Sequence, residues 1–111
     1  MNDLSWSEFS KVEIRTGTII QADVFQEAKV PAFKLKIDFG DLGQRKSSAQ
    51  ITDHYTPDSL IGKQIVAVVN FPQKQIGPFM SECLVLGSVN QDGAVTLLQT
   101  ERNTTNGERI S

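Results

Sequence analysis

The sequence predicts an all-β protein, a small barrel of five strands with two short helices. Apolar residues that are often β-branched recur from Val12 onward, and turn residues separate them at intervals suited to strands. The chain has 111 residues, which fits a single domain covering 1–111. Its only cysteine excludes an intrachain disulfide, so the predicted core has to hold the fold together without such a crosslink.

The first predicted element is a short helix near residues 4–11. Ser5 is a suitable N-cap, and Glu8 stands three residues later, where its side chain can complete a capping box. Trp6 and Phe9 on this helix then need a surface to bury against. Two uses are open: they close one end of the core, or they form the contact between two copies of the chain in a homodimer.

The first two strands follow from the pattern after this helix. Residues 12–20 are rich in β-branched side chains, and Gly17 among them predicts a bulge or a sharp bend in a long strand. In residues 33–39, apolar and other residues alternate, so the apolar ones share one face. Lys34 and Lys36 are therefore expected to point outward.

The remaining signals complete a barrel. Further strands are expected near residues 45–51, 64–70, 83–89 and 94–99. Thr56 followed by Pro57 predicts a short helix between the third and fourth strands, and residues 90–93 have the composition of a hairpin turn. This order is that of a five-stranded Greek-key OB-fold barrel. An immunoglobulin-like sandwich is the competing all-β fold, but its cysteine and tryptophan landmarks are missing.

The sequence argues against catalysis, cofactors and bound metals. One histidine, His54, and one cysteine, Cys83, do not supply a zinc ligand set or a plausible nucleophile with its base. Cys83 starts an apolar strand and is expected to be a core residue. We expect a cytoplasmic protein, because the N-terminus does not resemble a secretory signal. Residues 65–69 form the longest apolar run, too short for membrane insertion.

Charge is distributed unevenly although the net charge is only −2. Residues 29–74 contain seven basic and four acidic side chains, whereas acidic side chains outnumber basic ones on either side of this segment. A local positive patch can attract phosphates on a protein that is acidic overall. The alternative is an ordinary solvated surface of mixed charge.

Several motifs carry a family resemblance. Residues 47–51 (SSAQI), 55–63 (YTPDSLIGK) and 68–72 (VVNFP) resemble the tRNA-binding-domain family, which includes stand-alone tRNA-binding proteins and C-terminal domains of some methionyl-tRNA synthetases. Residues 34–40 (KLKIDFG) and 67–87 (AVVNFPQKQIGPFMSECLVLG) are more similar to the CsaA-type export-related chaperones of that family. The resemblance implies an OB fold, a homodimer, and either peptide or tRNA as the partner.

The positions that match the RNA-binding role are polar or basic and lie in or near the third strand and the segment before the fifth. They are Arg45, Lys46, Ser48, Gln50, Asn70, Lys74 and Ser81. Lys34 and Lys36 widen this patch if they face the same groove. The sequence departs from tRNA-binding relatives at Ile76, since those usually carry a basic residue before the glycine that is Gly77 here.

The same departure creates an apolar segment over residues 76–80, predicted as a loop, which would be unusual to leave in water. Together with Phe71, the side chains of Ile76, Phe79 and Met80 are predicted to form a groove for unfolded or presequence peptides. Alternatively, Phe79 and Met80 bury themselves in the barrel or in a dimer seam. The sequence thus favours a homodimeric export-related chaperone, with structure-selective tRNA binding as the second hypothesis.

Overall fold

The structure is a computed structural model that describes residues 1–111. It contains two short α-helices, one 3-10 turn at Gly40–Leu42 and nine strands. In chain order the helices and strands are α1 (Trp6–Ser10), β1 (Ile14–Val24), β2 (Phe33–Asp38), β3 (Gln44–Ala49), α2 (Pro57–Leu60), β4 (Gln64–Val68), β5 (Lys74–Ile76), β6 (Phe79–Ser81), β7 (Leu84–Val85), β8 (Gly87–Val89) and β9 (Val95–Leu97).

Five of these strands form one antiparallel sheet in the order β3-β2-β1-β4-β7, which curls into a nearly closed barrel. The hairpins β5–β6 and β8–β9 are attached to it. The predicted fold class, an OB-fold barrel with two short helices, is therefore confirmed. The strand predicted near 83–89 is divided, because β7 pairs with β4 and β8 pairs with β9.

Both helices begin at the predicted caps. The Ser5 hydroxyl accepts from the Glu8 amide at 3.1 Å, and the Ser5 amide donates to the Glu8 carboxylate at 3.1 Å. That arrangement also lowers the pKa of the Glu8 carboxyl, chiefly through the backbone hydrogen bond from Ser5. Thr56 caps α2 in the same reciprocal way, with Pro57 in the first turn. With five and four residues, α1 and α2 are far shorter than a membrane-spanning helix.

Helix α1 lies on the outside of the barrel. None of its residues is buried, and Trp6 is 87% exposed. The alternative in which Trp6 closes one end of the core is therefore wrong for the single chain. The helix is attached by the segment that follows it, where the Asn70 side chain bonds to the backbone of Lys11 and Glu13.

Strand β1 is long and is shared between the two halves of the barrel. Its first half pairs with β4 and its second half with β2, and the register shifts between Ile19 and Gln21. The sequence analysis predicted a bulge or a sharp bend at Gly17, but the bulge lies between Ile19 and Gln21. Gly17 instead permits close packing, because a Cβ there would come within 2.7 Å of the Ile37 and Phe39 side chains.

Strand β2 provides much of the core through simple alternation. Phe33, Leu35 and Ile37 are buried, whereas Lys34 and Lys36 are only partly covered and lie on the outer face. This confirms the predicted orientation of the two lysines. The largest fully buried side chain is that of Phe39, which continues the inner face beyond the end of β2.

The C-terminal segment covers the start of β1. The Thr16 amide donates to the Glu108 carbonyl at 3.0 Å, and the Gly107 amide donates to the Thr16 carbonyl at 2.7 Å. The Ile110 amide donates to the Ile14 carbonyl at 2.8 Å. Residues 107–110 therefore supply hydrogen-bond partners to the beginning of the first strand.

Candidate functional site

The β5–β6 hairpin lies beside the edge of β3 that does not pair with β2, and it determines the shape of the surface there. The sequence predicted a loop over residues 76–80, and this was wrong, because Ile76 pairs with Phe79 across a tight Gly77-Pro78 turn. Gly77 has a φ of +56° in this turn, a backbone conformation that favours glycine. At the base of the hairpin the Ser81 hydroxyl accepts from the Ser48 amide at 3.1 Å.

An apolar cleft of about 580 Å³ lies on one side of the hairpin, between the end of β3 and strands β7 to β9. Ten of its 15 lining residues are hydrophobic. We define the apolar cleft by its main apolar side chains, Ile51, Phe71, Ile76, Leu84, Val89 and Val95. Phe71 is 56% exposed and Val89 is 66% exposed, so the rim presents apolar surface to water. Such surface is typical of an interaction site.

Polar groups are few in this cleft and lie along one part of its lining. They include Ser48, Gln50, Lys74 and Ser81, four of the residues predicted to bind RNA. Lys74 is the only charged residue that lines the cleft, and it forms no salt bridge. An apolar lining with a few polar groups is typical of sites that bind small or extended ligands.

The four residues predicted to bind peptide do not lie together. Phe71 and Ile76 line the apolar cleft, whereas Phe79 lies in a second, smaller cleft and Met80 lines neither. The Phe79 ring packs edge-to-face on the Phe25 ring, with 5.4 Å between their centroids. The Lys46 ammonium lies 5.2 Å from the centroid of the Phe79 ring.

The second cleft, of about 320 Å³, is lined mainly by polar residues of strands β1, β2 and β3. Three lysines line it, Lys34, Lys36 and Lys46, and we refer to them as the basic face. The strand register places Lys36 directly opposite Lys46, and neither forms a salt bridge. Like charges at directly opposed positions destabilise a sheet, and the one carboxylate that lines this cleft, that of Asp23, stands opposite Lys34 and not between Lys36 and Lys46.

Two other residues predicted to bind RNA lie elsewhere. Arg45 does not point outward with Lys46, because neighbouring residues of a strand face opposite sides. Its guanidinium is partly buried and donates to the Val69 carbonyl at 2.6 Å. The Asn70 side chain accepts from the Glu13 amide at 3.0 Å and donates to the Lys11 carbonyl at 2.7 Å. Both side chains are engaged in holding the chain segments around β4.

Cys83 lines the apolar cleft but is not a reactive thiol. Burial raises its pKa to about 11, so the thiol stays protonated near neutral pH. Its sulfur lies 3.7 Å from the Lys46 carbonyl, to which the thiol can donate. The prediction that Cys83 is a core residue is confirmed by its exposure of 7%. No group of three or more His, Cys, Asp or Glu side chains is placed to hold a metal ion.

The sequence-based prediction missed several residues of the two clefts. Leu84, Val89 and Val95 contribute to the apolar cleft, and Phe25 supports Phe79 beside the basic face. The sequence did contain a signal for Leu84, since residues 83–86 are all apolar and show no alternation. A strand of that composition is covered on both faces, by protein or by a ligand.

The family model described as "Putative tRNA binding domain" matches residues 14–109. Among solved structures, the chaperone CsaA from Bacillus anthracis is 51% identical, with a TM-score of 0.95, over 99% of this chain and 100% of that one. The CsaA chaperone protein from Picrophilus torridus is 50% identical with a TM-score of 0.91, over 98% of this chain and 100% of that one.

Curated relatives include much longer proteins. A methionine--tRNA ligase from Chlorobium chlorochromatii is 32% identical over 107 residues, which is 96% of this chain but 15% of the ligase. The corresponding ligase from Methanococcoides burtonii is 33% identical over 107 residues, again 96% of this chain and 16% of the ligase. This chain therefore spans only about one sixth of these relatives.

Proposed function

Because this chain belongs to the tRNA-binding-domain family, and within it is of the CsaA type, we propose that it is a cytoplasmic export-related chaperone rather than an enzyme. Its ligands are extended segments of unfolded or presequence-bearing polypeptides, held in the apolar cleft. The observation that carries this proposal is the cleft of about 580 Å³ with Phe71 and Val89 exposed on its rim. The two similar solved proteins are both described as chaperones, which supports the same function.

The energetics of the cleft suit transient holding of an unfolded chain. Burying a Val, Leu or Phe side chain contributes about 1.5–3 kcal/mol, and the cleft can take in only a few such side chains. Part of that gain is offset by the ordering of a flexible peptide. The resulting affinity is moderate and depends little on the exact side chains, as expected of a protein that binds many different clients.

Replacing Phe71 by serine is expected to weaken peptide binding by about tenfold, because the ring loses its contribution of about 1.5 kcal/mol to the buried interface. Fluorescence anisotropy of a labelled eight-residue peptide of alternating leucine and serine measures this, together with light scattering by a heat-denatured test protein. Ile61→Ser is the matched control, because Ile61 is 50% exposed but lines neither cleft. Equal losses in the two variants would contradict the proposal.

The second part of the proposal is a homodimer in which Trp6 and Phe9 of α1 contact the partner. Trp6 is 87% exposed, and Leu4 beside it is 68% exposed, which together leave an apolar surface on the outside of the barrel. Large apolar side chains are enriched at protein interfaces, and tryptophan is among the residues that contribute most.

Trp6→Ala is expected to raise the dissociation constant of the dimer at least about tenfold, since interface tryptophans commonly contribute 2 kcal/mol or more. Sedimentation equilibrium checks this against a subunit mass of 12.3 kDa. Val30→Ala, at an exposed apolar residue before β2, is the control and should leave the dimer unchanged. A wild-type protein that is monomeric at micromolar concentration would exclude this role of α1.

The basic face supports a second candidate function, the structure-selective binding of tRNA. Lys36 and Lys46 oppose each other, and neither forms a salt bridge with a carboxylate. A phosphate bound between them would offset their electrostatic repulsion. The outer face of this sheet and its adjoining loops are where OB folds bind oligonucleotides. Lys74, Ser48, Gln50 and Ser81 extend the polar surface past the hairpin.

Lys36→Gln is expected to change RNA binding and stability in opposite directions. Loss of one phosphate contact should weaken tRNA binding and lower the slope of log K against log salt by about 0.7–0.9. Relief of the repulsion with Lys46 should raise the free energy of unfolding at low salt by about 0.2–1 kcal/mol. Lys11→Gln, outside the basic face, should do neither. A tRNA affinity that is independent of salt, or identical changes in both variants, would count against the basic face.

A further inference from the structure

The barrel is incompletely closed between β3 and β7. Each strand of the sheet is antiparallel to its neighbours, and three strands separate β3 from β7 in the order of the sheet. These two strands therefore run parallel to each other. They are joined at one end, where the Glu82 amide donates to the Lys46 carbonyl at 2.8 Å and the Ser47 hydroxyl donates to the Cys83 carbonyl at 2.9 Å. Beyond that point no hydrogen bond joins them, and residues 48–51 and 84–87 form opposite walls of the apolar cleft.

The wall formed by β3 has unused hydrogen-bonding groups. On one side β3 pairs with β2, and the backbone groups of Lys46 and Ser48 point to the other side, where their amides bond to the Glu82 carboxylate and the Ser81 hydroxyl. The Ser48 carbonyl points to this same side, because an antiparallel strand directs both backbone groups of a residue to one neighbour, and no backbone amide from the opposite wall donates to it. Neither backbone group of Gln50 makes a hydrogen bond. An open edge of this kind pairs readily with another extended chain.

We propose that the apolar cleft takes up its peptide by strand addition to this edge, so that the peptide main chain bonds to the Ser48 carbonyl and to both backbone groups of Gln50. The inference rests on the proposed function, because it describes how the same cleft holds its ligand. Main-chain bonds of this kind are the same for every sequence, which suits a chaperone with many clients. They also fill positions that the protein leaves unpaired in the gap between β3 and β7.

Strand addition predicts a pattern in the ligand. Successive side chains of an extended peptide point to opposite sides, so every second residue enters the cleft and the residues between them face away. The best ligands therefore alternate apolar and polar residues, and an acidic residue is preferred near Lys74, the only charged residue of the lining. Proline is excluded at positions whose amide must donate to β3.

The test is a series of peptides methylated at one backbone nitrogen each, based on the labelled peptide of alternating leucine and serine. Methylation removes a donor without changing any side chain. Strand addition is expected to give losses of about tenfold in affinity at every second position of the bound segment and small changes at the positions between them. A peptide of the same composition with its leucines consecutive should bind more weakly than the alternating one.

Amide hydrogen exchange followed by NMR provides a measurement on the protein side. The Gln50 amide, which makes no hydrogen bond in the free protein, should exchange at least about tenfold more slowly in the complex. The Gln91 amide in the β8–β9 turn also makes no hydrogen bond and is the control, with no expected change.

Binding of the parent peptide without any alternating effect of methylation, or with unchanged Gln50 exchange, overturns strand addition while leaving the peptide-binding function in place. Failure of the parent and rearranged peptides alike to bind overturns the proposed function, and strand addition with it.

Discussion

Replacement of Phe39 by alanine is expected to lower the free energy of unfolding by about 3–5 kcal/mol, the range for large-to-small changes of buried aromatic residues. Phe39 is fully buried and is the largest such side chain in the protein. Domains of this size are stable by only about 5–15 kcal/mol, so the variant should unfold at a much lower urea concentration. Urea denaturation followed by circular dichroism measures the change.

The packing of Phe39 against Gly17 allows a stricter version of this experiment. A Cβ at residue 17 would lie 2.7 Å from the Phe39 ring and from Ile37, so Gly17→Ala should cost about 1–3 kcal/mol by overpacking. In a Phe39→Leu background the added methyl group occupies space that the smaller side chain leaves, and its cost should fall. If the losses in free energy of unfolding of the two single variants simply add in the double variant, the Phe39 ring does not restrict the space at residue 17.

The second large effect is expected at Gly107. Gly107→Ala should lower the free energy of unfolding by about 3 kcal/mol or more, for two reasons that add. Gly107 has a φ of +91°, where a residue with a Cβ costs about 1–2 kcal/mol more than glycine. A Cβ at this position would in addition collide with the Phe39 carbonyl oxygen, a backbone atom that cannot move without displacing the sheet.

Gly93 provides a matched control for this substitution. It has a φ of +87°, nearly the same as Gly107, but a Cβ there would meet no atom within 4 Å. Gly93→Ala should therefore show only the conformational cost of about 1–2 kcal/mol. Equal losses of stability in the two variants would mean that the contact with Phe39 is unimportant.

Local rules accounted for the elements whose signals are contained in a few neighbouring residues. The capping box at Ser5, the short helix that begins with Thr56 and Pro57, and the alternation of β2 all formed as predicted. The β5–β6 hairpin was missed because Pro78 and Gly77 read as a loop, although two such residues are enough for a tight turn. Gly17 was misinterpreted for a different reason, since its role depends on Phe39, which is distant in sequence.

The arrangement of the site was less predictable, because it depends on contacts between distant segments. Nothing near Arg45 or Asn70 in the sequence indicates that Arg45 bonds to Val69 or that Asn70 holds the start of β1. The alternation rule places Arg45 and Lys46 on opposite faces of the strand predicted near residues 45–51, but it does not say which of the two side chains faces outward. The separation of Phe71 from Phe79 likewise required the position of the hairpin.

The hydrogen bonds between the C-terminal segment and β1 have a consequence for the order in which the molecule acquires its structure. The Thr16 side chain and the Glu108 amide that bonds to it are 92 residues apart in the sequence. Pairings across such separations slow folding, because a long loop must close before they form. During synthesis, strand β1 emerges from the ribosome long before its partners at Gly107 and Ile110. We therefore expect the nascent chain to keep this edge of β1 unpaired until residues 107–110 have left the ribosome.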